Sequence, residues 1–378
     1  MGKKYKHLYE NICRFENLWL ASRKARRGKR RKLSVSEFEF DLENKLLEIQ
    51  DALIKETYQF GAYTRFTIHE PQERQISAAP YRDRVVHHAL CNIIEPLLNK
   101  AMIYDTYACR IGKGSHRAIQ RAQQFLRNYS WVLKLDIRKF FFTIDHYILK
   151  KELQKKISDP AVMNLIGKIL DTYNSPREYY FFHGNKEEAD ITRPIGLPIG
   201  NLTSQLFANY YLNPMDRFIK EELKIEGYVR YMDDALLFAS DKQTLSDAKK
   251  DIRIFLEAYR LSLHEMKSQV FPARHGVRFL GFHLYPDKRK ILRSNLKRFK
   301  MRLKAKRRLY RQQDISWENI LQSLNAWLGF ADKQRNVRFI NEILSHIPFS
   351  HTDTGKSFTF RIPSIYNGNT CKGMGAVK

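Results

Sequence analysis

The sequence predicts an α+β fold in which an antiparallel sheet packs on helices, and three observations support this prediction. Strand-like runs flank the adjacent acids Asp233 and Asp234, a pattern typical of a β-hairpin with an acidic tip. Residues 131–136 form another short apolar run, which ends on Asp136 and predicts a buried strand. Elsewhere, apolar residues recur every three or four positions, which predicts amphipathic helices.

The N-terminal part is predicted to begin with a basic block and a helix. Residues 22–32 are mostly Lys and Arg, which favours contact with phosphate groups over the simpler alternative of a solvated loop. Residues 34–37 match a capping box, and apolar residues at helical spacing then predict a helix that runs to about Lys55.

A hairpin and two helices are predicted next. Strands at 63–68 and 74–77 are expected to pair across the turn at 70–73, because both are rich in alternating β-formers. A helix opens at Arg82 with an apolar inner face, and a second helix spans 115–128.

The elements after the strand at 131–136 follow from the same patterns. They are, in order, a helix from about Asp145, an irregular segment at 183–199, a helix from about Asn201 to Met215, the acidic hairpin at 228–239, a helix at 243–260 and a strand at 276–284.

The C-terminal third is strongly cationic. Residues 288–311 contain thirteen Lys or Arg and no acid, arranged around one apolar stripe. Solvated helices usually mix both charge signs, so this pattern favours contact with a nucleic-acid backbone. Residues 315–347 are predicted to be helical, and the tail from about residue 350 has no clear periodicity.

Composition limits the class of protein. The chain has 378 residues, 43% of them hydrophobic, and a formal net charge of +27, which indicates a globular protein with an anionic polymer as partner. The four cysteines are far apart and form no C-x-x-C pair, so a reducing compartment is expected. No apolar run has membrane-spanning length, so we expect a cytoplasmic protein without membrane contact.

The acidic residues predict a metal site. Asp233 and Asp234 repel each other at the hairpin tip, and a divalent cation would relieve that repulsion; the alternative is a plain solvated turn. With Asp136 they would gather three carboxylates, which suits two Mg²⁺ ions about 3.5–4 Å apart for nucleotidyl transfer. Without a His or Cys cluster, zinc is disfavoured.

Several motifs, taken in order, resemble those of reverse transcriptases. The motifs are Asp136 followed by Phe140-Phe141, the Tyr231-Met232-Asp233-Asp234 box, the Phe279-Leu280-Gly281-Phe282 turn, the stretch from Arg74 to Arg84 and Tyr107-Ala108-Cys109-Arg110. The resemblance covers about residues 15–345 and implies a right-hand polymerase with fingers, palm and helical thumb. Its implied domains are a basic arm with fingers at 1–124, a palm at 125–286 with 150–185 partly returning to the fingers, a thumb at 287–347 and a tail at 348–378.

One departure from the common pattern points to a subgroup. Most reverse transcriptases have a Gln-Gly pair and a later Ser-Pro before the catalytic hairpin, whereas this chain has Ile199-Gly200 and Ser204-Gln205. That pattern is similar to the enzymes of diversity-generating retroelements, bacterial and phage systems that copy a template-repeat RNA into cDNA with errors at adenines. The alternatives are a retron, phage-defence or intron-derived reverse transcriptase, or a non-catalytic RNA-binding scaffold.

The resemblance implies roles for individual residues. Two Mg²⁺ ions, for which Mn²⁺ can substitute, would be held by Asp136, Asp233, Asp234 and the carbonyl of Ile137. The incoming nucleotide would meet Arg74 at its triphosphate, Phe141 at its sugar, and Ile137, Ile199, Gly200 and Lys267. The primer grip would be Phe279, Leu280 and Gly281. Nucleic acid would contact Arg26, Arg27, Arg30, Arg82, Arg84, Arg110, Lys297, Lys300 and Lys304.

The partners implied by the resemblance are template RNA, the primer or growing cDNA, and deoxynucleoside triphosphates. A small basic accessory protein that forms oligomers is expected as well. The host would be a bacterium, with the gene carried by its own genome or by a phage.

Overall fold

The computed structural model describes residues 4–69, 73–180, 193–331 and 341–346, and three short strands at 349–350, 357–360 and 376–377. The chain divides into two compact units, Met1–His275 and Gly276–Lys378.

The first unit begins with four helices, namely α1 (Tyr9–Cys13), α2 (Phe15–Ala25), α3 (Leu33–Phe40) and α4 (Leu42–Ile54). The helix predicted from the capping box to Lys55 is therefore two helices, because Asp41 leaves the helical conformation with φ −119° and ψ 42°. The prediction that Ser34 caps a helix was wrong, because Ser34 lies inside α3 and the extended residue before this helix is Lys32.

The predicted N-terminal hairpin is present. Strands β1 (Thr64–Ile68) and β2 (Arg74–Ala78) pair antiparallel, with Ile68 opposite Arg74. All five residues of β1 are exposed, and Ser77 is the buried residue of β2. Helix α5 (Tyr81–Ala101) follows and packs against α2. The turn predicted at 70–73 lies mostly outside the described residues, which omit 70–72.

The central elements agree with the prediction at the strand ending on Asp136, the helix from about Asp145, the acidic hairpin and the helix at 243–260, while most of the irregular segment predicted at 183–199 lies outside the described residues. The central elements are α6 (Ser115–Asn128), β3 (Trp131–Asp136), α7 (Phe140–Thr143), α8 (His146–Gln154), α9 (Pro160–Asp171), α10 (Leu202–Tyr211), α11 (Asn213–Arg217), a π-helix (Phe218–Glu222), β4 (Gly227–Tyr231), β5 (Asp234–Ala239), α12 (Lys242–Ala258) and β6 (Gln269–Pro272). The single helix predicted through Met215 is divided at Leu212, which separates α10 from α11.

These strands form one antiparallel sheet in the order β4-β5-β3-β6. The two inner strands are almost continuously apolar, since Val132, Leu133 and Leu135 and the run 235–239 are buried. Helices α6 and α12 pack against the sheet and supply the layer that buries these residues. The predicted α+β class, an antiparallel sheet packed on helices, is confirmed.

The second unit begins with a three-stranded antiparallel sheet of β7 (Val277–Phe279), β8 (Phe282–Leu284) and β9 (Arg289–Ile291). The single strand predicted at 276–284 was wrong, because the chain reverses at Leu280 and Gly281. Both residues have positive φ, 47° and 87°, which is the geometry of a tight two-residue hairpin turn.

Two helices follow, α13 (Arg293–Arg311) and α14 (Trp317–Ala331). The predicted apolar stripe of α13 is buried at Phe299 and Leu303, which cluster with Leu324 and Leu328 of α14. The ring of Phe299 stacks on Trp327 with centroids 3.7 Å apart, so this helical pair has its own core. The tail contributes β10 (Phe349–Ser350), β11 (Ser357–Phe360) and β12 (Ala376–Val377).

Two further predictions concern the surroundings of the chain. Across the described ranges, no helix combines the length and apolar character that crossing a bilayer requires. Cys13, Cys91 and Cys109 are free thiols, while Cys371 lies outside the described residues.

Candidate active site

The end of the central sheet brings the three predicted acids together. Asp136, the last residue of β3, is the register partner of Asp234, the first residue of β5. Asp234 also pairs with Tyr231 across the hairpin, so Met232 and Asp233 form its two-residue tip. Residues from two distant parts of the chain therefore present their carboxylates at the same end of the sheet.

The backbone of Asp136 is held from the β6 side. Its N–H donates to Ser268 Oγ at 3.1 Å, and the Ser268 hydroxyl in turn lies 3.3 Å from the Asp136 carbonyl. The same carbonyl accepts from the N–H of His264 at 2.8 Å. With β5 paired on its other side, Asp136 presents its side chain from a backbone that is fixed by both neighbouring segments.

Ile137 continues this pairing beyond the strand. It stands opposite Leu263 in an antiparallel bridge. The hydrogen bonds of the bridge come from flanking residues, such as Arg138 N–H to Ser262 O at 2.9 Å. In such a pair the residue's own carbonyl points away from its partner, so the predicted ligand oxygen of Ile137 is not used by Leu263.

The three carboxylates affect one another electrostatically. Burial raises the pKa of Asp233, the negative charge of Asp136 raises it further, and the positive charge of Arg74 opposes this rise. Burial raises the pKa of Asp234 to about 6 against the opposing effect of Lys134, whose Nζ lies 3.3 Å from Asp234 Oδ1. The accumulated negative charge makes this edge attractive to a cation.

The donor set fits a hard divalent ion that is shared with a substrate. Within the described residues, no three His, Cys, Asp or Glu side chains are grouped so as to hold an ion by themselves. Mg²⁺ is commonly bound by one or two carboxylates together with waters and substrate phosphates, and does not need a complete protein cage. Asp136 and Asp234 meet this requirement, with about 30% and 29% of their side chains exposed.

Two lysines border the acids. Lys267, predicted at the triphosphate, is exposed and has its Nζ 3.7 Å from Asp136 Oδ2. Lys134, which the sequence did not single out, lies two residues before Asp136 on the same face of β3. The site therefore combines clustered negative charge with two cations at its rim.

A short segment joins the sheet edge to the N-terminal hairpin. Leu197 N–H donates to the carbonyl of Phe141 at 2.7 Å, and Ser77 N–H of β2 donates to the carbonyl of Ile199 at 2.9 Å. Gly200 has φ +132°, and a Cβ there would lie 3.0 Å from Ser77 O. The structure thus brings Ile199 and Gly200 next to the strand that carries Arg74, and Phe141 is bonded to the same segment at Leu197.

The three phenylalanines after Asp136 have different surroundings. Phe140 is buried at 2% exposure and belongs to the core. Phe142 stacks on Tyr179 with centroids 4.4 Å apart. Phe141 is half-buried beside Phe140, which leaves part of its ring accessible.

Arg74 lies on the exposed outer half of β2. Its positive charge lowers the pKa of Asp233, so the guanidinium is within electrostatic range of the hairpin tip. Arg74 is therefore a cation that favours the ionised form of the Asp233 carboxylate.

The predicted primer-grip residues form the β7–β8 turn of the second unit. The carbonyl of Gly281 accepts from Leu292 N–H and from Asn295 Nδ2, each at 3.1 Å. A Cβ at Gly281 would lie 2.6 Å from Asn295 Nδ2, so only glycine fits this turn without a shift. Phe279 is buried and Leu280 is half-buried.

Two arginines that are predicted to contact nucleic acid bond to other residues of the chain. Arg110 donates four hydrogen bonds to oxygens of Asn99, Ile103 and Thr106. Arg26 forms an ion pair with Glu39. Most donors of Arg110 are therefore used inside the protein, where they hold this loop.

The other cations that are predicted to contact nucleic acid differ in their exposure to solvent. Arg82 lies 4.7 Å over the ring of Tyr58, and Arg84 donates from Nε to Ala79 O at 2.8 Å, so both are partly engaged. The exposed ones are Arg27, Arg30, Lys297 and Lys304, and Lys300 is half-buried.

Comparison with known proteins agrees with this geometry. The profile of the family described as "Reverse transcriptase (RNA-dependent DNA polymerase)" matches residues 68–284, which include β3 and the acidic hairpin. The chain belongs to this family. The right-hand polymerase fold follows from this membership, together with the antiparallel sheet that carries the acids.

The reverse transcriptase has several relatives of low identity. It is 22% identical to the putative COX1/OXI3 intron 1 protein of Saccharomyces cerevisiae, over 56% of this chain and 31% of that protein. It is 23% identical to YkfC of Escherichia coli, over 56% of this chain and 63% of YkfC. It is 24% identical to the group II intron-encoded protein LtrA of Lactococcus lactis, over 47% of this chain and 28% of LtrA. The matches span less than two thirds of each relative.

Among solved structures, the telomerase of Candida tropicalis is similar to this chain with a TM-score of 0.46 and 13% identity. The match covers 64% of this chain and 59% of the telomerase chain. This likeness is too weak to inform the function.

Proposed function

We propose that this chain synthesises DNA on an RNA template by nucleotidyl transfer at the end of the central sheet that carries Asp136, Asp233 and Asp234. The observation that supports this most strongly is the pairing of Asp136 with Asp234, which places the acids of two separate motifs side by side. Family membership supplies the reaction class, since the matched residues 68–284 include all three acids.

In this proposal Asp136, Asp233 and Asp234 hold two Mg²⁺ ions, or Mn²⁺ in their place, with the carbonyl of Ile137 as a further oxygen ligand. The bound ions would activate the primer 3′-hydroxyl and neutralise charge on the triphosphate. The carboxylates must be ionised to serve as ligands, and the rim cations favour that state. Lys134 does so for Asp234.

The chain's own residues would select and orient the nucleotide. Arg74 would grip the triphosphate, because its planar fork matches phosphate oxygens and its positive charge lowers the pKa of Asp233. Phe141 would exclude a 2′-hydroxyl with the accessible part of its ring. Lys267, 3.7 Å from Asp136, would supply a proton to the departing pyrophosphate.

Template RNA and primer would be bound by exposed cations. Lys297, Lys300 and Lys304 lie three and four residues apart on α13, so they share one helical face beside the buried stripe. Arg27 and Arg30 would add phosphate contacts from the proposed fingers at 1–124, and Phe279, Leu280 and Gly281 would form the primer grip. Attraction between these cations and phosphate is independent of sequence.

We further propose that the product is cDNA with errors at adenines, as in a diversity-generating retroelement. Ile199 carries this proposal, because an apolar side chain stands where related enzymes have Gln and cannot hydrogen-bond near the nucleotide. The carbonyl of Ile199 is bonded to β2, so its side chain stays beside the strand of Arg74. A small basic accessory protein would complete such a system.

An intron-derived reverse transcriptase is the second candidate, favoured by relatives named as intron proteins. Sequencing the cDNA that the purified protein makes on a defined RNA template discriminates the two. Errors concentrated at template adenines support the retroelement, and a low, even error spectrum supports the intron-derived enzyme. No primer extension with Mg²⁺ and deoxynucleotides would favour a non-catalytic RNA-binding scaffold instead.

A further inference from the structure

A buried arginine lies immediately before the acidic hairpin tip. Arg230 is on β4, next to Tyr231, and none of its side chain is exposed to solvent. It therefore cannot contact a template or a nucleotide. A fully buried guanidinium needs partners for its charge and its five N–H groups.

All five N–H groups of Arg230 have partners. Nε and Nη2 donate to the two carboxylate oxygens of Asp216, each at 2.6 Å. Nη1 and Nη2 donate to the side-chain and backbone oxygens of Asn209, each at 3.0 Å. The last bond runs from Nη1 to the carbonyl of Met232 at 2.8 Å, inside the tip itself.

The partners of Arg230 are themselves fixed. Asp216 is fully buried and also accepts from Tyr228 Oη at 2.6 Å and Thr106 Oγ1 at 3.2 Å. Asn209 donates from Nδ2 to Ala108 O at 2.9 Å. The guanidinium therefore connects α10, α11 and the segment at 106–108 to the hairpin tip.

The tip needs such support because its backbone is unusual. Met232 has φ +59°, in the left-handed region that a side chain disfavours by roughly 1–2 kcal/mol. Asp233 follows directly, so the peptide that Arg230 binds is the one that leads into Asp233. Rotation of this peptide would change the direction of the Asp233 carboxylate.

We propose that Arg230 is a positioning residue, which fixes the Met232–Asp233 peptide and so the direction in which Asp233 is presented. Its kinetic consequence rests on the proposed function, whereas its effect on the tip does not. A buried ion pair can often be replaced by apolar residues without loss of stability. An apolar pair has no donor for the Met232 carbonyl, and this separates positioning from a merely structural role.

The test compares two variants that disturb the same network at different points. Arg230→Met combined with Asp216→Leu removes both charges together, so neither is left buried alone, and frees the Met232 carbonyl. Tyr228→Phe is the matched control, since it removes a bond to Asp216 and leaves the Arg230–Met232 bond intact. Arg230→Lys is a second variant in case the double substitution does not fold.

Three quantities are measured on each folded protein: the melting temperature, kcat and KM for a deoxynucleotide on primed RNA, and amide hydrogen exchange at residues 229–236. Without Arg230 we expect kcat to fall on the order of 10²-fold, since small displacements of a reacting group have effects of this size. We expect KM to stay within about threefold, because nucleotide binding is not the interaction removed. Exchange at the tip should be about tenfold faster.

The control should keep kcat, KM and tip exchange close to those of the unaltered protein, even if its melting temperature falls. Arg230→Lys should recover part of kcat, because an ammonium can reach only some of the five acceptors. Unchanged kcat and tip exchange in any folded protein without Arg230 would overturn the proposal. An unaltered protein that extends no primer contradicts the proposed function, while tip exchange still decides the role of Arg230.

Discussion

Asp136 and Asp234 face each other as register partners on neighbouring strands, β3 and β5. The sheet fixes their separation, because both belong to strands that are buried along most of their length. The third acid, Asp233, lies in the tip that follows β4, where its backbone is oriented by the neighbouring residue Met232. The candidate site is thus built on rigid elements, which suits a reaction that depends on placement.

The first prediction concerns the sugar of the incoming nucleotide. Phe141→Ala should allow ribonucleotides to be incorporated, because the smaller side chain leaves room for a 2′-hydroxyl. Discrimination against ribonucleotides should fall by about two orders of magnitude, the effect of roughly 3 kcal/mol in a fitted pocket. The measurement is the ratio of kcat/KM for a deoxynucleotide and its ribonucleotide.

The neighbouring ring provides the control for this experiment. Phe142→Ala also removes a half-buried phenyl ring, but one that stacks on Tyr179. It should leave the ratio near that of the unaltered enzyme. Equal ratios for the Phe141 and Phe142 variants would exclude Phe141 as the sugar gate.

The second prediction concerns fidelity. Ile199→Gln should lower misincorporation opposite template adenine by about tenfold, since one regained polar contact in a buried site is worth about 1–3 kcal/mol. Ile199→Val, which changes size without adding polarity, should keep the original errors. Sequencing of cDNA from one adenine-rich template measures both, and indistinguishable error spectra for all three proteins would refute the role of Ile199.

The third prediction concerns nucleic-acid affinity. Replacing Lys297 and Lys304 with Gln should weaken binding to an RNA–DNA duplex and make it less dependent on salt. If each lysine neutralises one phosphate, the slope of log K against log salt should become shallower by about 1.8 for a duplex of B-form behaviour. Fluorescence anisotropy at several salt concentrations measures this slope.

A charge-matched pair serves as the control for the lysines. Lys45 is on α4 and Lys55 directly follows it, and their ammonium groups lie 2.8 Å from carboxylate oxygens of Glu48 and Asp51, so their charge is locally offset. Their replacement by Gln should leave the slope unchanged. If both pairs reduce affinity equally, only the total charge matters and the proposed face of α13 has no special role.

Much of the site was predictable because it depends on local patterns. The acids at 233–234 interrupt two β-forming runs, and Asp136 ends a third, so hairpin and strand follow from residue type alone. The sequence left their pairing as a hypothesis, since a buried strand needs neighbours on both sides but residue type does not say which strands these are. The resemblance added the roles that no local pattern supplies, such as those of Phe141 and Ile199.

The network of Arg230 was not predicted, for a physical reason. An arginine in a strand ordinarily indicates a solvent-facing position, and its partners Asp216 and Asn209 lie on helices with no motif of their own. Only the fold brings them together. In the structure the first four residues of β4 are all buried, so both of its faces are covered and Arg230 has no route to solvent.

Other errors came from turns. The Leu280-Gly281 pair lacks the Asn-Gly or Asp-Gly signature of a tight hairpin, so the residue pattern predicted β7 and β8 as one strand, although the resemblance marked residues 279–282 as a turn. Arg110 was predicted to contact nucleic acid because the Tyr107-Ala108-Cys109-Arg110 motif resembles one of reverse transcriptases. Its bonds to Asn99, Ile103 and Thr106 depend on a loop geometry that the sequence does not reveal.

The most direct test of the central claim is single-turnover primer extension on RNA with Mg²⁺ and deoxynucleotides, by the unaltered protein and by Asp233→Asn. Asp287→Asn, a change at an exposed acid of the second unit, is the control. We expect Asp233→Asn to slow nucleotide addition by at least 10²–10³-fold, on the order of the loss of one preorganised electrostatic group, while RNA affinity stays nearly unchanged. Full activity of Asp233→Asn would contradict the assignment of this end of the sheet as the catalytic site.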